Sequence, residues 1–190
     1  MQRYPHVEKL VLASSSPRRR ELLASLGLEF TTAIPQIDEV LRPGENPRAY
    51  AERLAGEKAE AVAADPETTV LGADTIVVQG GGILGKPADA AQAFEMLAAL
   101  SGKTHEVITA VCIRRGPRQA VFSVSTEVLF RELDVREIEA YIASGCPMDK
   151  AGAYAIQGGA AHMVRAINGS YTNVVGLPLC ELHEVMNRFD

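Results

Sequence analysis

The run of residues from Thr69 to Val78 is rich in β-branched side chains and predicts a strand. Three glycines, Gly80-Gly81-Gly82, follow this run and end the strand. A single acid, Asp74, interrupts the apolar run on the same face as Gly72. Aspartate is disfavoured in strands, so a purely structural role would require a buried salt bridge or a bulge. Because desolvated acids cluster at active sites, we predict that Asp74 is a functional carboxylate and that the missing side chain of Gly72 leaves space for a ligand.

Strands and helices alternate along the rest of the chain. Further strands are predicted at residues 9–13, 28–33, 105–113, 120–130 and 163–167, and helices from residue 17 onward and at 47–64, 88–100, 134–143 and 178–188. The two strands joined by the turn that contains Gly116-Pro117 are expected to pair antiparallel. Helices interleaved with such strands predict an α/β fold with a mixed central sheet. No linker marks a domain boundary, so residues 1–190 are expected to form a single domain.

The composition excludes several classes of protein. The chain has 190 residues, of which 47% are hydrophobic and 23% charged, and its formal net charge is −5. These values exclude a disordered chain, and no apolar run is long enough for a membrane span. The negative charge argues against non-specific binding to nucleic acid or to anionic lipid. Since there is no secretory signal segment, and Cys112, Cys146 and Cys180 form no cluster with each other or with histidine, we expect a cytoplasmic protein without a structural zinc site.

A basic turn follows the first predicted strand, with the sequence Ser14-Ser15-Ser16-Pro17-Arg18-Arg19-Arg20. Ser16 is a suitable N-cap and Pro17 a suitable first residue for the helix that follows. An arginine at this end of a helix opposes the helix dipole by roughly 0.3–1 kcal/mol unless an anion binds there. Backbone N–H groups, serine hydroxyls and guanidinium groups would together bind a phosphate. Helical spacing predicts that Arg19 points inward, that Arg18 can reach the same cleft and that Arg20 lies in solvent. The alternative is a basic turn that is wholly solvated.

Lys58 lies in the apolar stripe of the helix predicted at 47–64, together with Tyr50, and not on the polar side that contains Arg53. A lysine cannot be buried unpaired at low cost. Lys58 therefore requires a carboxylate, an anionic ligand, or room to extend its ammonium group into water. The adjacent acids Asp38 and Glu39 offer further oxygen ligands for such a site.

Two glycine-rich segments carry further candidate residues. Residues 80–85 contain a formal GxGxxG, but Lys86-Pro87 follows where a dinucleotide-binding helix should open, so a plain turn that presents Lys86 is the alternative. In the segment 149–159, the amide of Gln157 would match the pairing edge of uracil or thymine. A glutamine that is merely solvated is the alternative there.

These candidates have a common chemistry. The cations suit a polyphosphate, and the carboxylates suit a hard divalent metal that bridges phosphate oxygens. No cysteine or serine is placed with a histidine base, so nothing indicates a covalent intermediate. Metal-assisted attack of water on a nucleoside triphosphate fits best. The alternatives are a nucleotide-sensing regulatory protein without turnover and an NAD-dependent enzyme built on the glycine run.

Motifs spread over almost the whole chain resemble, in the same order, those of the Maf family of nucleotide pyrophosphatases. They are Ala13-Ser14-Ser15-Ser16-Pro17-Arg18-Arg19, Asp38-Glu39, Lys58-Ala59, Gly72-Ala73-Asp74-Thr75, Gly85-Lys86-Pro87, Asp149-Lys150-Ala151-Gly152 and Gly176-Leu177-Pro178. The resemblance implies an elongated mixed sheet flanked by helices, with two lobes around a nucleotide cleft, as in inosine-triphosphate pyrophosphatases. Thr75, Lys150 and Gln157 make the chain similar to the branch that acts on dTTP and UTP, and not to the branch that acts on 7-methyl-GTP.

The same resemblance implies roles for individual residues. It implies hydrolysis of dTTP or UTP to the monophosphate and pyrophosphate, with Mg²⁺ or Mn²⁺ held by Asp74 and Glu39. Asp74 would accept the proton, and Glu39, Lys58 and Lys86 match the other polar active-site positions. The residues expected to bind substrate are Ser14, Arg18, Arg19, Thr75, Lys150 and Gln157. Removal of non-standard nucleotides and arrest of cell division are the expected biological settings, and a homodimer is an expected assembly.

Overall fold

The computed structural model describes Tyr4 and residues 7–189, and within them seven strands form one sheet. The strands are β1 (Leu10–Ala13), β2 (Thr31–Ala33), β3 (Thr69–Gln79), β4 (Gly82–Leu84), β5 (Thr104–Arg115), β6 (Arg118–Phe130) and β7 (Val164–Asn168). Their order in the sheet is β2-β1-β3-β5-β6-β7, with β4 paired to β3. Strand β1 runs parallel to β2 and β3, whereas β4 and β7 run antiparallel to β3 and β6, respectively. The predicted mixed sheet is therefore confirmed.

Six α-helices accompany these strands in the described residues. They are α1 (Pro17–Ser25), α2 (Pro47–Glu60), α3 (Ala90–Leu100), α4 (Val135–Ala143), α5 (Tyr171–Val175) and α6 (Leu179–Arg188). The predicted N-caps of the first two are confirmed, because the side chains of Ser16 and Asn46 accept hydrogen bonds from the N–H groups of Arg19 and Ala49. The longest, α2, has 14 residues, and no described helix is long and apolar enough to cross a membrane.

Two predicted boundaries were wrong by several residues. Helix α2 ends at Glu60, not near residue 64, because the chain turns there toward β3. The side chain of Asp65 fixes this turn by accepting hydrogen bonds from the N–H of Glu67 and the hydroxyl of Thr68. Strand β2 begins at Thr31 and not at Leu28, because the residues before Thr31 form no strand pairs.

The chain divides into two compact units, and the boundary between Asp74 and Thr75 falls inside β3. Unit 1 comprises Met1–Asp74, Thr109–Val124 and Gly176–Asp190, and unit 2 comprises Thr75–Ile108 and Ser125–Val175. Each unit has its own hydrophobic core. The core of unit 1 includes Leu12, Leu23, Leu71, Ile113, Leu177 and Leu182. The core of unit 2 includes Leu97, Leu100, Val107, Phe130, Tyr154 and Met163.

In unit 1, Gly72 brings the backbone of α2 directly against β3. A Cβ atom at Gly72 would lie 2.3 Å from the carbonyl oxygen of Ala55 and 2.8 Å from the backbone nitrogen of Ala59. The prediction that Gly72 leaves space for a ligand was therefore wrong, because the helix backbone fills that space. This close approach places Lys58 of α2 opposite Asp74, which lies two residues beyond Gly72 on the same face of β3.

In unit 2, the glycine run forms a hairpin between β3 and β4. Gly80 and Gly81 both have positive φ, at +57° and +82°, as a two-residue turn of this kind requires. Val77 pairs with Leu84 in the antiparallel register that follows. The formal GxGxxG is thus a tight turn and a short strand, which removes the basis for an NAD-dependent enzyme.

Candidate active site

A buried lysine joins two carboxylates in unit 1. Lys58 Nζ lies 2.6 Å from Asp74 Oδ1 and 2.7 Å from Glu39 Oε1. The side chains of Lys58 and Asp74 are only 10% and 8% exposed, whereas that of Glu39 is 40% exposed. Of the three possibilities open to Lys58 from the sequence, pairing with carboxylates is therefore the one observed. The cluster is therefore buried at Lys58 and Asp74 and exposed to solvent at Glu39.

Asp74 keeps one carboxylate oxygen without a partner. Oδ1 accepts the hydrogen bond from Lys58, but Oδ2 is buried and has no hydrogen-bond partner among the described residues. A buried salt bridge explains how an aspartate is tolerated within β3, and it leaves Oδ2 unexplained. An unsatisfied charged oxygen in such a place is costly, so Oδ2 marks a position where a water molecule, a cation or a substrate group would be stabilised.

The two carboxylates meet the requirements of a magnesium-type ion only in part. Within residues 7–189 and Tyr4, no group of three or more acidic, histidine or cysteine side chains is arranged to hold a metal. Magnesium, however, is commonly bound by one or two carboxylates together with water and substrate phosphates. Asp74 and Glu39, which approach the same Lys58 ammonium, fit that mode of binding. Asp38 is exposed, and its backbone carbonyl accepts the N–H of Val40.

The basic turn places Arg19 inward, as predicted. Its Nε donates to the carbonyl oxygen of Gly176 at 2.9 Å, and its Nη1 lies 3.4 Å from the hydroxyl oxygen of buried Ser14. Burial lowers the pKa of Arg19, the negative charge of Asp74 opposes that shift, and the positive charge of Arg18 adds to it. Arg19 is therefore within electrostatic reach of both Asp74 and Arg18. Arg20 is exposed, whereas Arg18 is half-buried, so the alternative of a wholly solvated basic turn was wrong.

Sequence reasoning missed two residues of α2 that hold Glu39. The hydroxyl of Tyr50 donates to the backbone carbonyl of Glu39 at 3.1 Å. Burial is the main cause that raises the pKa of Tyr50, and the negative charges of Asp74 and Glu39 raise it further. Arg53 donates to the carbonyl of Val40 at 3.0 Å. Helical periodicity had placed Tyr50 in the apolar stripe and Arg53 on the polar side. No local signal relates either residue to Glu39, which lies more than ten positions earlier in the sequence.

The remaining predicted residues belong to unit 2. Lys86 follows β4 and is exposed, and Thr75 is half-buried in β3. Lys150 is 14% exposed at its side chain, donates to the carbonyl of Cys146 at 2.8 Å and pairs with the carboxylate of Asp149. Gln157 lies exposed in a turn. Roles for these residues in substrate binding stay predictions.

Comparisons with known proteins give a consistent result. Residues 9–189 match the model of the family described as Maf-like protein. The chain is 56% identical to the dTTP/UTP pyrophosphatase of Geobacter sulfurreducens over 183 residues, which cover 95% of this chain and 96% of that protein. It is 53% identical to the dTTP/UTP pyrophosphatase of Salmonella typhimurium, with 95% and 93% covered. Among solved structures, the Ham1 protein of Staphylococcus aureus aligns with 65% of this chain and 72% of its own, at 18% identity and a TM-score of 0.45. Since the family match and these close relatives span nearly the whole chain, it belongs to the Maf family.

Proposed function

We propose that this protein hydrolyses dTTP and UTP to the nucleoside monophosphate and pyrophosphate, with a divalent metal ion. The observation that carries this proposal is the Asp74 carboxylate, which Lys58 holds through Oδ1 while Oδ2 stays buried and unpartnered within the described residues. The names of the relatives supply the substrates, because proteins more than 50% identical over almost the whole chain are dTTP/UTP pyrophosphatases.

The basic end of α1 is proposed to bind phosphate groups. The N-terminal N–H groups of this nine-residue helix favour an anion, and Arg18 and Arg19 add positive charge at the same end. The contacts of Arg19 with Gly176 and Ser14 hold its guanidinium in a fixed direction, so little ordering is required when a phosphate binds. Neutralisation of the phosphates and of the departing pyrophosphate is the contribution expected from these groups.

Asp74 is proposed to take the proton from the attacking water. Lys58 fixes Oδ1, so Oδ2 is the oxygen available to the water. As the water oxygen bonds to one phosphorus of the α–β anhydride, its proton passes to Oδ2, the bond from that phosphorus to the bridging oxygen breaks, and the bridging oxygen stays with the other product. A bound Mg²⁺ or Mn²⁺ would polarise the phosphoryl oxygens, with Asp74 and Glu39 as its protein ligands.

The residues of unit 2 are proposed to complete substrate binding. Lys86 and Lys150 would supply positive charge, and Thr75 and Gln157 would select the pyrimidine base. Glutamine presents both a donor and an acceptor, which match N3–H and a carbonyl group of uracil or thymine. Residues 1–190 are proposed to act as a single Maf-like domain, which is supported by a family match that runs through both units.

The test is the reaction of Asp74→Asn with a panel of nucleoside triphosphates in Mg²⁺ or Mn²⁺, followed by chromatography of the products. Loss of a catalytic base should lower turnover by about 10²-fold or more. The matched control is Asp134→Asn, because asparagine also caps a helix and Asp134 caps α4. Near-normal pyrophosphate release by Asp74→Asn would refute the role. A parent protein that binds nucleotide and releases no pyrophosphate would favour the alternative of a nucleotide-sensing protein.

A further inference from the structure

Glu39 lies in a segment that has no regular structure of its own. Residues 34–46, here called the connecting segment, join β2 to α2 without a helix or strand. Fixing the backbone of each such residue costs conformational entropy. A Glu39 carboxylate 2.7 Å from Lys58 therefore requires contacts that hold the connecting segment in place.

The guanidinium of Arg53 supplies three of these contacts, two with Glu45 and one with Val40. Its Nε and Nη2 donate to the two carboxylate oxygens of Glu45 at 2.7 Å each, and its Nη2 also donates to the carbonyl of Val40 at 3.0 Å. Its Nη1 lies 3.1 Å from both carboxylate oxygens of Glu57, which belongs to α2 itself. All three nitrogens of the guanidinium thus have acceptors. The side chains of Arg53 and Glu45 are only 15% and 10% exposed. Arg53 also holds the pKa of Glu45 at about 2, so the pair stays charged at any ordinary working pH.

Helix α2 consequently holds Glu39 at three places. Tyr50 binds the carbonyl of Glu39, Arg53 binds the carbonyl of the next residue, and Lys58 binds the carboxylate. The Arg53 guanidinium also lies 5.4 Å from the centre of the Tyr50 ring, a distance at which the two groups attract each other. Of these three side chains, Lys58 is the one that contacts the carboxylate itself.

We propose that Arg53 is a positioning residue, which sets the place of the Glu39 carboxylate beside Lys58 and Asp74 by fixing the connecting segment. This inference rests on the proposed function in one respect, because it assumes that Glu39 contributes to hydrolysis. Arg53 itself touches no reacting atom. A lysine at position 53 would keep the charge, but it would lose the bidentate contact with Glu45 and the separate donor to Val40.

The first measurement is hydrogen exchange in the protein without substrate. The amides of Val40, Arg42 and Glu45 donate within the connecting segment and report its order. In Arg53→Lys, these amides should exchange about tenfold faster or more, since a charged bidentate hydrogen bond is lost. The matched control is Arg48→Lys, the same substitution on the same helix, because Arg48 donates to Ser123 and not to the connecting segment. Unchanged exchange in Arg53→Lys would overturn the proposal.

The second measurement is a double-mutant cycle on pyrophosphate release. Arg53→Lys alone should lower kcat about 10-fold to 100-fold, as the loss of a group that orients an active-site residue does. In a Glu39→Gln background the same substitution should have little further effect, because its route of action is already removed. If Arg53→Lys instead lowered kcat by the same factor in the Glu39→Gln background as in the parent, Arg53 would have a general structural role, and the proposal would be overturned. If the parent released no pyrophosphate, the proposed function would fail, and hydrogen exchange would still decide whether Arg53 fixes the connecting segment.

Discussion

Replacing Gly72 by alanine should separate helix α2 from strand β3. The new Cβ would stand 2.3 Å from the carbonyl oxygen of Ala55 and 2.8 Å from the nitrogen of Ala59, so the two backbones must move apart by about 1 Å to reach an ordinary contact distance. Overpacking of this kind costs about 1–3 kcal/mol, and the upper end applies because backbone atoms cannot rotate away. For a protein of this size, about 3 kcal/mol corresponds to a fall in Tm of about 6–12 °C.

The assay is thermal unfolding followed by far-UV circular dichroism, with Gly56→Ala as the matched control. Gly56 is also buried in this region, but its Cβ would meet only the side-chain amide nitrogen of Gln119, at 3.4 Å. Alanine inside a helix is better than glycine by roughly 0.5–1 kcal/mol, so Gly56→Ala should leave Tm unchanged or raise it. Because the movement also separates Lys58 from Asp74, Gly72→Ala should lose about 10²-fold in turnover at a temperature where it is folded. A Tm within about 2 °C of the parent would refute this account of Gly72.

Two further predictions concern unit 2. Burial lowers the pKa of His105 from 6.5 to about 4, so between these values the unfolded chain takes up a proton that the folded chain does not bind. The free energy of unfolding should therefore fall by a total of roughly 3 kcal/mol as the pH decreases from 6.5 to 4. Denaturation curves of His105→Gln, measured over the same pH range, should lack this decrease. An equal decrease of the free energy of unfolding with pH in both proteins would contradict the prediction. Gln157→Ala should change the ratio of turnover on UTP to turnover on GTP while the circular dichroism stays the same, and a constant ratio would remove Gln157 from base recognition.

The features that could be predicted from sequence are those with local causes. A helix start depends on the cap and the next few residues, so Ser16-Pro17 and Asn46-Pro47 were sufficient to place α1 and α2. Strand β3 followed from its β-branched run. Strand β4 was missed because its three residues are too few to show a period.

The partners within the site depend on how distant elements pack. The sequence could show that Lys58 needs a partner, but Asp74 and Glu39 meet it only because α2 lies directly on Gly72. A glycine beside an acid leaves room for a ligand or for another backbone, and the position of α2 decides between them. Arg53 was placed on the solvent side because helical periodicity carries no information about the irregular segment that covers it.

The observed contacts of Lys58 also change the role expected of it. A lysine whose ammonium lies 2.6–2.7 Å from two carboxylates has its charge largely balanced, so it attracts a phosphate weakly. In unit 1, we then expect the positive charge for the phosphates to come mainly from Arg18 and Arg19, at the end of a helix whose dipole adds to it. The Nε and Nη1 atoms of Arg19 contact the neutral oxygens of Gly176 and Ser14, and these contacts orient its guanidinium. We therefore expect Lys58 to orient the two acids and the arginines to bind the anion, because these cations contact different kinds of oxygen atom.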